Sequence, residues 1–97
     1  MMNDNGALGR TWEEVRSELF TPEEIAESNM RVALMKQLVE ARRSQGITQK
    51  QLEQLSGVSQ PVIARMESGS TSPQIGTLIK VLRPLGLTMK IVPVSES

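Results

Sequence analysis

Apolar positions recur at helical spacing along most of this chain, and each run opens and closes on recognisable punctuation. Thr11-Trp12-Glu13-Glu14 has the form of a capping box, in which a hydroxyl and a carboxylate three residues apart each accept the other residue's backbone N–H. It predicts a short helix to about Leu19, with Trp12, Val15 and Leu19 on one stripe. Thr21-Pro22-Glu23-Glu24 repeats the device with proline at the first helical position. The helix it opens carries Ile25, Met30, Ala33, Leu34, Leu38 and Ala41 to a stop at Gly46. Ser28-Asn29 interrupts the pattern and leaves open whether this is one long helix or two.

Thr48-Gln49-Lys50-Gln51 is a third box, followed by Leu52 and Leu55 and ended by Gly57. Ser59 predicts a cap for the next helix, with Pro61 in its first turn, Val62, Ile63 and Met66 following, and Gly69 as the stop. Ser72-Pro73 predicts a fifth start, for a helix carrying Ile75, Leu78, Ile79, Leu82 and Leu85 and halted around Pro84 and Gly86. From Leu87 the period changes from helical to alternating. Leu87, Met89 and Ile91 interleave with Thr88 and Lys90, which predicts a single β-strand running to Val94.

A lone strand has no partner within the chain, and an unpaired apolar edge is a liability. Pairing with the same strand of a second copy is the simplest remedy, so a homodimer through Leu87, Met89, Ile91, Val92 and Val94 is expected. A strand packed on its own helices, or added to another protein's sheet, is the competing arrangement.

Composition narrows the chemistry. The 97 residues suffice for one compact domain with short arms. Cysteine, histidine and tyrosine are absent, and Trp12 and Phe20 are the whole aromatic content. Disulfides, thiolate or imidazole metal sites, and Cys or His nucleophiles or bases are thereby excluded. Paired carboxylates or a Ser/Lys device stay chemically available, but nothing in the chain gathers them. The expectation is therefore no enzyme, no metal, no cofactor and no small-molecule substrate. The start, MMNDNGALGR, lacks the layout of a signal peptide, and the longest apolar run, Val32 to Met35, is four residues. No membrane association and a cytoplasmic location are expected.

Eleven bases balance eleven acids, yet the balance is not local. Residues 1–35 hold seven acids against three bases, a net of −4; residues 36–97 hold eight bases against four acids, a net of +4. Either the acids follow helix N-termini, or two surfaces of opposite charge serve different partners.

The central pattern of helix, Gly57-Val58-Ser59 turn and second helix is the helix-turn-helix arrangement. Gly57 sits where a positive φ is useful, and Val58 falls in the angle between the helices. Ile47, Leu52, Leu55, Val58, Ile63 and Met66 are the apolar set expected to fix their crossing. The segment GITQKQLEQLSGVSQPVIARMESGSTSPQIGTLIKVLRPLG closely resembles the Cro/repressor-type (XRE) helix-turn-helix family, with residues 36–86 following its five-helix pattern. The flanking WEEVRSELFTPEEIAES and MKIVPV further resemble HigA-type antitoxins of toxin–antitoxin operons.

That resemblance implies an all-α, five-helix Cro/repressor-like domain with an N-terminal helical arm and a C-terminal strand pairing across a dimer. The implied boundaries are 1–28 for a toxin-binding arm, 29–86 for the DNA-binding domain and 87–97 for the dimerisation strand and tail. Gln49 occupies the place where the family's glutamine bonds a phosphate and braces the recognition helix. Gln60 stands at the first recognition position, where its amide suits adenine N6 and N7. Pro61 departs from the family, which often has a polar base reader there; it offers only apolar contact, as does Val62. Arg65 lies one turn on, toward guanine or phosphate. Ser59, Ser70, Thr71 and Ser72 are placed to donate to phosphates, and Lys50, with Lys36 and Arg43, serves either as a solvated charge or as a phosphate contact. Arg42 and Glu67 match the family's partly buried ion pair, a structural role.

The arm is expected to mask a cognate HigB-type toxin, a basic mRNA endonuclease. Trp12, Val15, Leu19 and Phe20 are its anchors, and Glu13, Glu14, Glu18, Glu23 and Glu24 its complementary charge. The resemblance thus implies an antitoxin that neutralises the toxin and represses its own operon on double-stranded operator DNA. A stand-alone repressor whose arm serves dimerisation is the alternative.

Overall fold

The computed structural model describes residues 11–94, which form five α-helices and one 3₁₀ turn and contain no strand. The helices are α1 (Trp12–Leu19), α2 (Pro22–Ser44), α3 (Gln49–Ser56), α4 (Gln60–Glu67) and α5 (Ile75–Leu82), with the 3₁₀ turn at Arg83–Leu85. The chain divides into two compact units, residues 1–32 and 33–97.

In the first unit both capping boxes close. Thr11 Oγ1 accepts from the Glu14 N–H at 3.2 Å while the Thr11 N–H donates to Glu14 Oε1 at 2.9 Å. Thr21 and Glu24 reproduce the exchange at 3.1 and 2.8 Å. The question left by Ser28-Asn29 resolves as one continuous helix, α2. Asn29 does not compete for its own backbone, because its side-chain oxygen accepts from Arg16 Nη2 at 3.1 Å. Arg31 grips Glu27 one turn back through two 2.7 Å contacts. No residue of α1 is buried.

The second unit encloses the core. Met35 and Leu38 of α2, Leu52 of α3, Val58 of the turn, Ile63 and Met66 of α4, and Leu78, Val81, Leu82 and Leu85 are buried together. Leu34, Ile47, Val62 and Leu87 pack around this set. Each such side chain removed from water stabilises the fold by about 1.5–3 kcal/mol before entropy is counted. Gln45 Nε2 donates to the Leu85 carbonyl at 2.8 Å, tying the loop after α2 to the end of the 3₁₀ turn.

Several expectations need correction. Leu55 is 57% exposed; Ser56, four residues after the buried Leu52, is more enclosed, and its hydroxyl accepts the Val58 N–H at 3.1 Å. Ile75 and Ile79 also face solvent, whereas Val81 is fully buried. The fifth helix begins at Ile75 rather than at Pro73, with Gln74 at its N-cap and no side-chain cap bond. Ser59 does stand at the N-cap of α4, but its hydroxyl makes no capping bond. Finally, Leu87–Val94 form no strand. A strand is defined by a ladder to a neighbour, and the helices offer no backbone groups to complete one. Met89, Ile91, Val92 and Val94 are instead exposed, with only Leu87 packed on the core.

Candidate nucleic-acid interface

Helix α3 ends at Gly57, whose φ of +78° lies in the left-handed region, and its N–H bonds the Glu53 carbonyl at 2.9 Å. That reversal, with Val58 buried behind it, brings α4 back across α3. Pro61 fits the first turn of α4, where a missing N–H costs nothing. The sequence thus sets the turn locally, and the core holds the crossing.

A linked set of polar side chains crosses this motif. Arg42 near the end of α2 binds Glu67 at the end of α4 in a two-point ion pair, Nε to Oε2 at 2.6 Å and Nη2 to Oε1 at 2.8 Å. The remaining nitrogen, Nη1, donates to the Ile47 carbonyl at 2.9 Å. Both side chains are nearly sealed, 8% and 5% exposed. The ion pair implied by the family resemblance is therefore present. It does not stop there: Gln49 Nε2 donates to Glu67 Oε1 at 2.8 Å, and Gln60 Nε2 donates to Gln49 Oε1 at 2.7 Å. Gln49 and Gln60, eleven residues apart, meet at the N-terminal ends of α3 and α4, where each is half-buried.

Around this pair the other candidate contacts sort by environment. Lys50, Ser59, Pro61, Arg65, Thr71 and Ser72 are exposed, while Val62 is half-buried against the core. Ser70 is exposed but occupied, since its hydroxyl meets the Arg65 carbonyl at 3.2 Å and the Ser68 hydroxyl at 2.9 Å. Ser68 also donates to the Arg65 carbonyl, at 2.9 Å, so these serines close the end of α4. Lys50 Nζ lies 2.9 Å from Glu53 Oε1. The Lys50 ammonium, seconded by the Gln60 backbone N–H, holds the Glu53 carboxyl below its ordinary range. Sequence reasoning overlooked Glu53. Its signal was the i, i+3 spacing from Lys50, a common helical charge pair that does not by itself mark a site.

In the first unit, Trp12 and Leu19 are about two-thirds exposed and Phe20 nearly half, with Val15 less so. Glu13, Glu14, Glu18, Glu23 and Glu24 are exposed beside them. An open cleft of about 350 Å³ lies between Phe20 and Ile25, walled by Arg16, Glu24, Glu27, Ser28 and Arg31. In the second unit an apolar groove of about 440 Å³ runs along Ile75, Ile79, Met89 and Ile91. Among the described residues no cluster of acids offers a metal site, and no helix is long and apolar enough to cross a membrane.

A tight helical pair with amides at its leading edge, set on a core drawn from α2, α3, α4, α5 and the 3₁₀ turn, defines a helix-turn-helix module. Comparison with known proteins agrees, and the chain belongs to the helix-turn-helix family, whose model matches residues 38–92. The chain is 56% identical over 92 residues to an uncharacterised HTH-type transcriptional regulator of Haemophilus influenzae, covering 95% of this chain and 94% of the relative. It is 39% identical over 54 residues to the HTH-type transcriptional regulator PuuR of Escherichia coli, covering 56% of this chain and 29% of that protein. Among solved structures it is similar to a chain described as a toxin–antitoxin module from Streptococcus pneumoniae. That match has a TM-score of 0.64 and 60% identity, and covers 94% of this chain and 99% of the other.

Proposed function

We propose that this protein is a regulator with two partners, a HigA-type antitoxin. Residues 29–86, as part of a homodimer, bind a palindromic operator with recognition helices α4 in successive major grooves. Residues 1–28 bind and neutralise a HigB-type toxin. The observation that carries the DNA reading is the Gln49–Gln60 pair at the edge of the helix-turn-helix. Its amides sit at the end of the motif that enters a groove, flanked by the exposed Lys50, Ser59 and Arg65. The net +4 of residues 36–97, doubled in a dimer, supplies the sequence-independent attraction to phosphate.

The toxin reading rests on the 60% identity to a chain of a toxin–antitoxin module together with the surface of α1. An eight-residue helix with no buried residue, presenting Trp12, Leu19 and Phe20 among acids, is suited to a basic partner. The homodimer rests on the groove at Ile75, Ile79, Met89 and Ile91 and on the exposed Val92 and Val94, apolar surface that a second copy would cover. The second reading is a repressor acting without a toxin, and the Haemophilus relative, described as a transcriptional regulator, supports the DNA-binding part that both readings share.

One pair of variants separates these readings. Deleting residues 1–28 should abolish rescue of cells expressing a HigB-type toxin that the full chain neutralises, while leaving DNA footprints unchanged. Gln60→Ala with Arg65→Ala should erase the footprint and keep the rescue. Rescue that survives the deletion removes the arm from toxin binding, and an unaltered footprint removes α4 from DNA recognition.

A further inference from the structure

The ion pair of Arg42 and Glu67 has a consequence beyond holding α2 to α4. A carboxylate only accepts hydrogen bonds, so Gln49 must meet Glu67 through its NH₂ group. The Gln49 carbonyl oxygen is then the end turned to Gln60, and Gln60 in turn must meet it through NH₂. Each amide is otherwise free to flip by 180°, exchanging donor for acceptor. Here the direction of both is dictated by a carboxylate that is itself fixed by a two-point guanidinium contact.

With one Nε2 hydrogen spent on Gln49, Gln60 retains one N–H and its carbonyl oxygen. That is an edge with one donor and one acceptor. Adenine offers the complement, an N6 amine and an N7 acceptor; guanine offers two acceptors, O6 and N7, and leaves the Gln60 oxygen facing another oxygen. We propose that Arg42 and Glu67 are specificity-determining positioning residues: by fixing the direction of the Gln49–Gln60 amide chain, they make Gln60 select adenine over guanine. This inference rests on the reading of the second unit as a DNA-binding domain.

The test uses the full chain against a library of double-stranded DNA with a randomised centre. Three proteins are compared: the wild type, the double variant Arg42→Met with Glu67→Met, and Gln49→Met. A buried ion pair that only stabilises can be replaced by apolar side chains of similar size with little effect. The wild type should enrich a motif in which adenine exceeds guanine by about tenfold or more at one position of each half-site. Both variants should reduce that ratio to about threefold or less while keeping the preferences at other positions. A folded double variant that keeps the wild-type ratio overturns the proposal. If that variant does not fold, Gln49→Met decides in the same way, because it cuts the last link and leaves the ion pair intact.

The side-chain amide spectrum of the free protein gives a readout independent of DNA. The wild type should show one ordered, hydrogen-bonded Gln60 NH₂ pair, and the Gln49→Met variant an averaged one. A wild type that enriches no motif ends the DNA-binding reading and the base preference with it. An averaged amide pair in the wild type refutes the fixed direction itself.

Discussion

Replacing Arg42 alone by methionine should be among the most damaging single changes available in this protein. The substitution keeps the aliphatic stem but removes three hydrogen bonds, two to Glu67 at 2.6 and 2.8 Å and one to the Ile47 carbonyl at 2.9 Å. Glu67, with its side chain 5% exposed, is left as a sealed carboxylate held by the neutral Gln49 amide. Breaking one side of a buried pair typically costs about 3–5 kcal/mol, chiefly the penalty of the stranded charge. A domain of this size has of order 3–10 kcal/mol in total, so a large share is lost. With a urea slope of about 1 kcal/mol/M, the unfolding midpoint should fall by roughly 3–5 M, measured with osmolyte added to both proteins. Glu67→Met added to Arg42→Met should recover most of the loss, since it removes the stranded charge. A shift of under about 1 M for the single change, or a double variant no more stable than the single, would refute the reasoning.

The remaining expectations are more local. The folded carboxyl of Glu53 titrates below its ordinary value of 4.5, so its contribution to stability is present above that value and lost as pH falls through the folded one. Glu53→Gln should therefore flatten the dependence of Tm on pH on the acid side, and an unchanged slope would remove the Lys50 contact from the account. Gly57→Ala forces a side chain into a φ of +78°, at a cost of about 1–2 kcal/mol, and should lower Tm by several degrees. Open space around that Cβ position means that no clash adds to this figure, so a much larger loss would point to another cause. Removing residues 87–97 should lower the dimer fraction in sedimentation velocity, and an unaffected dimer would place the interface elsewhere.

Much of this fold was legible because its signals are short-range. The three Thr-x-x-Glu/Gln boxes and the left-handed Gly57 each depend on residues within a few positions, so local sequence is enough to specify them. The helix-turn-helix followed from the same punctuation. Periodicity did less well at choosing inward faces. On α3 and α5, each of eight residues, it admitted Leu55, Ile75 and Ile79 alongside Leu52 and Leu78 and left out Val81, and on the longer α2 it left out Met35. A short amphipathic stripe is wide, and only the neighbouring helices decide which edge of it is covered. The alternating tail was likewise read as a strand, although alternation states a preference and a ladder requires a second backbone.

The sequence by itself therefore determined where the helices begin, where they stop and where the chain reverses, since those are contests between groups three or four residues apart. Only the tertiary structure decided how the polar residues connect. Arg42 and Glu67 are 25 residues apart, Gln49 and Glu67 are 18, and Gln49 and Gln60 are 11. The two members of each pair stand on different helices, so the periodicity of no single helix joins them. The direction of each amide exists only once packing has sealed the Glu67 carboxylate and brought two half-buried glutamines within hydrogen-bonding distance of it and of each other.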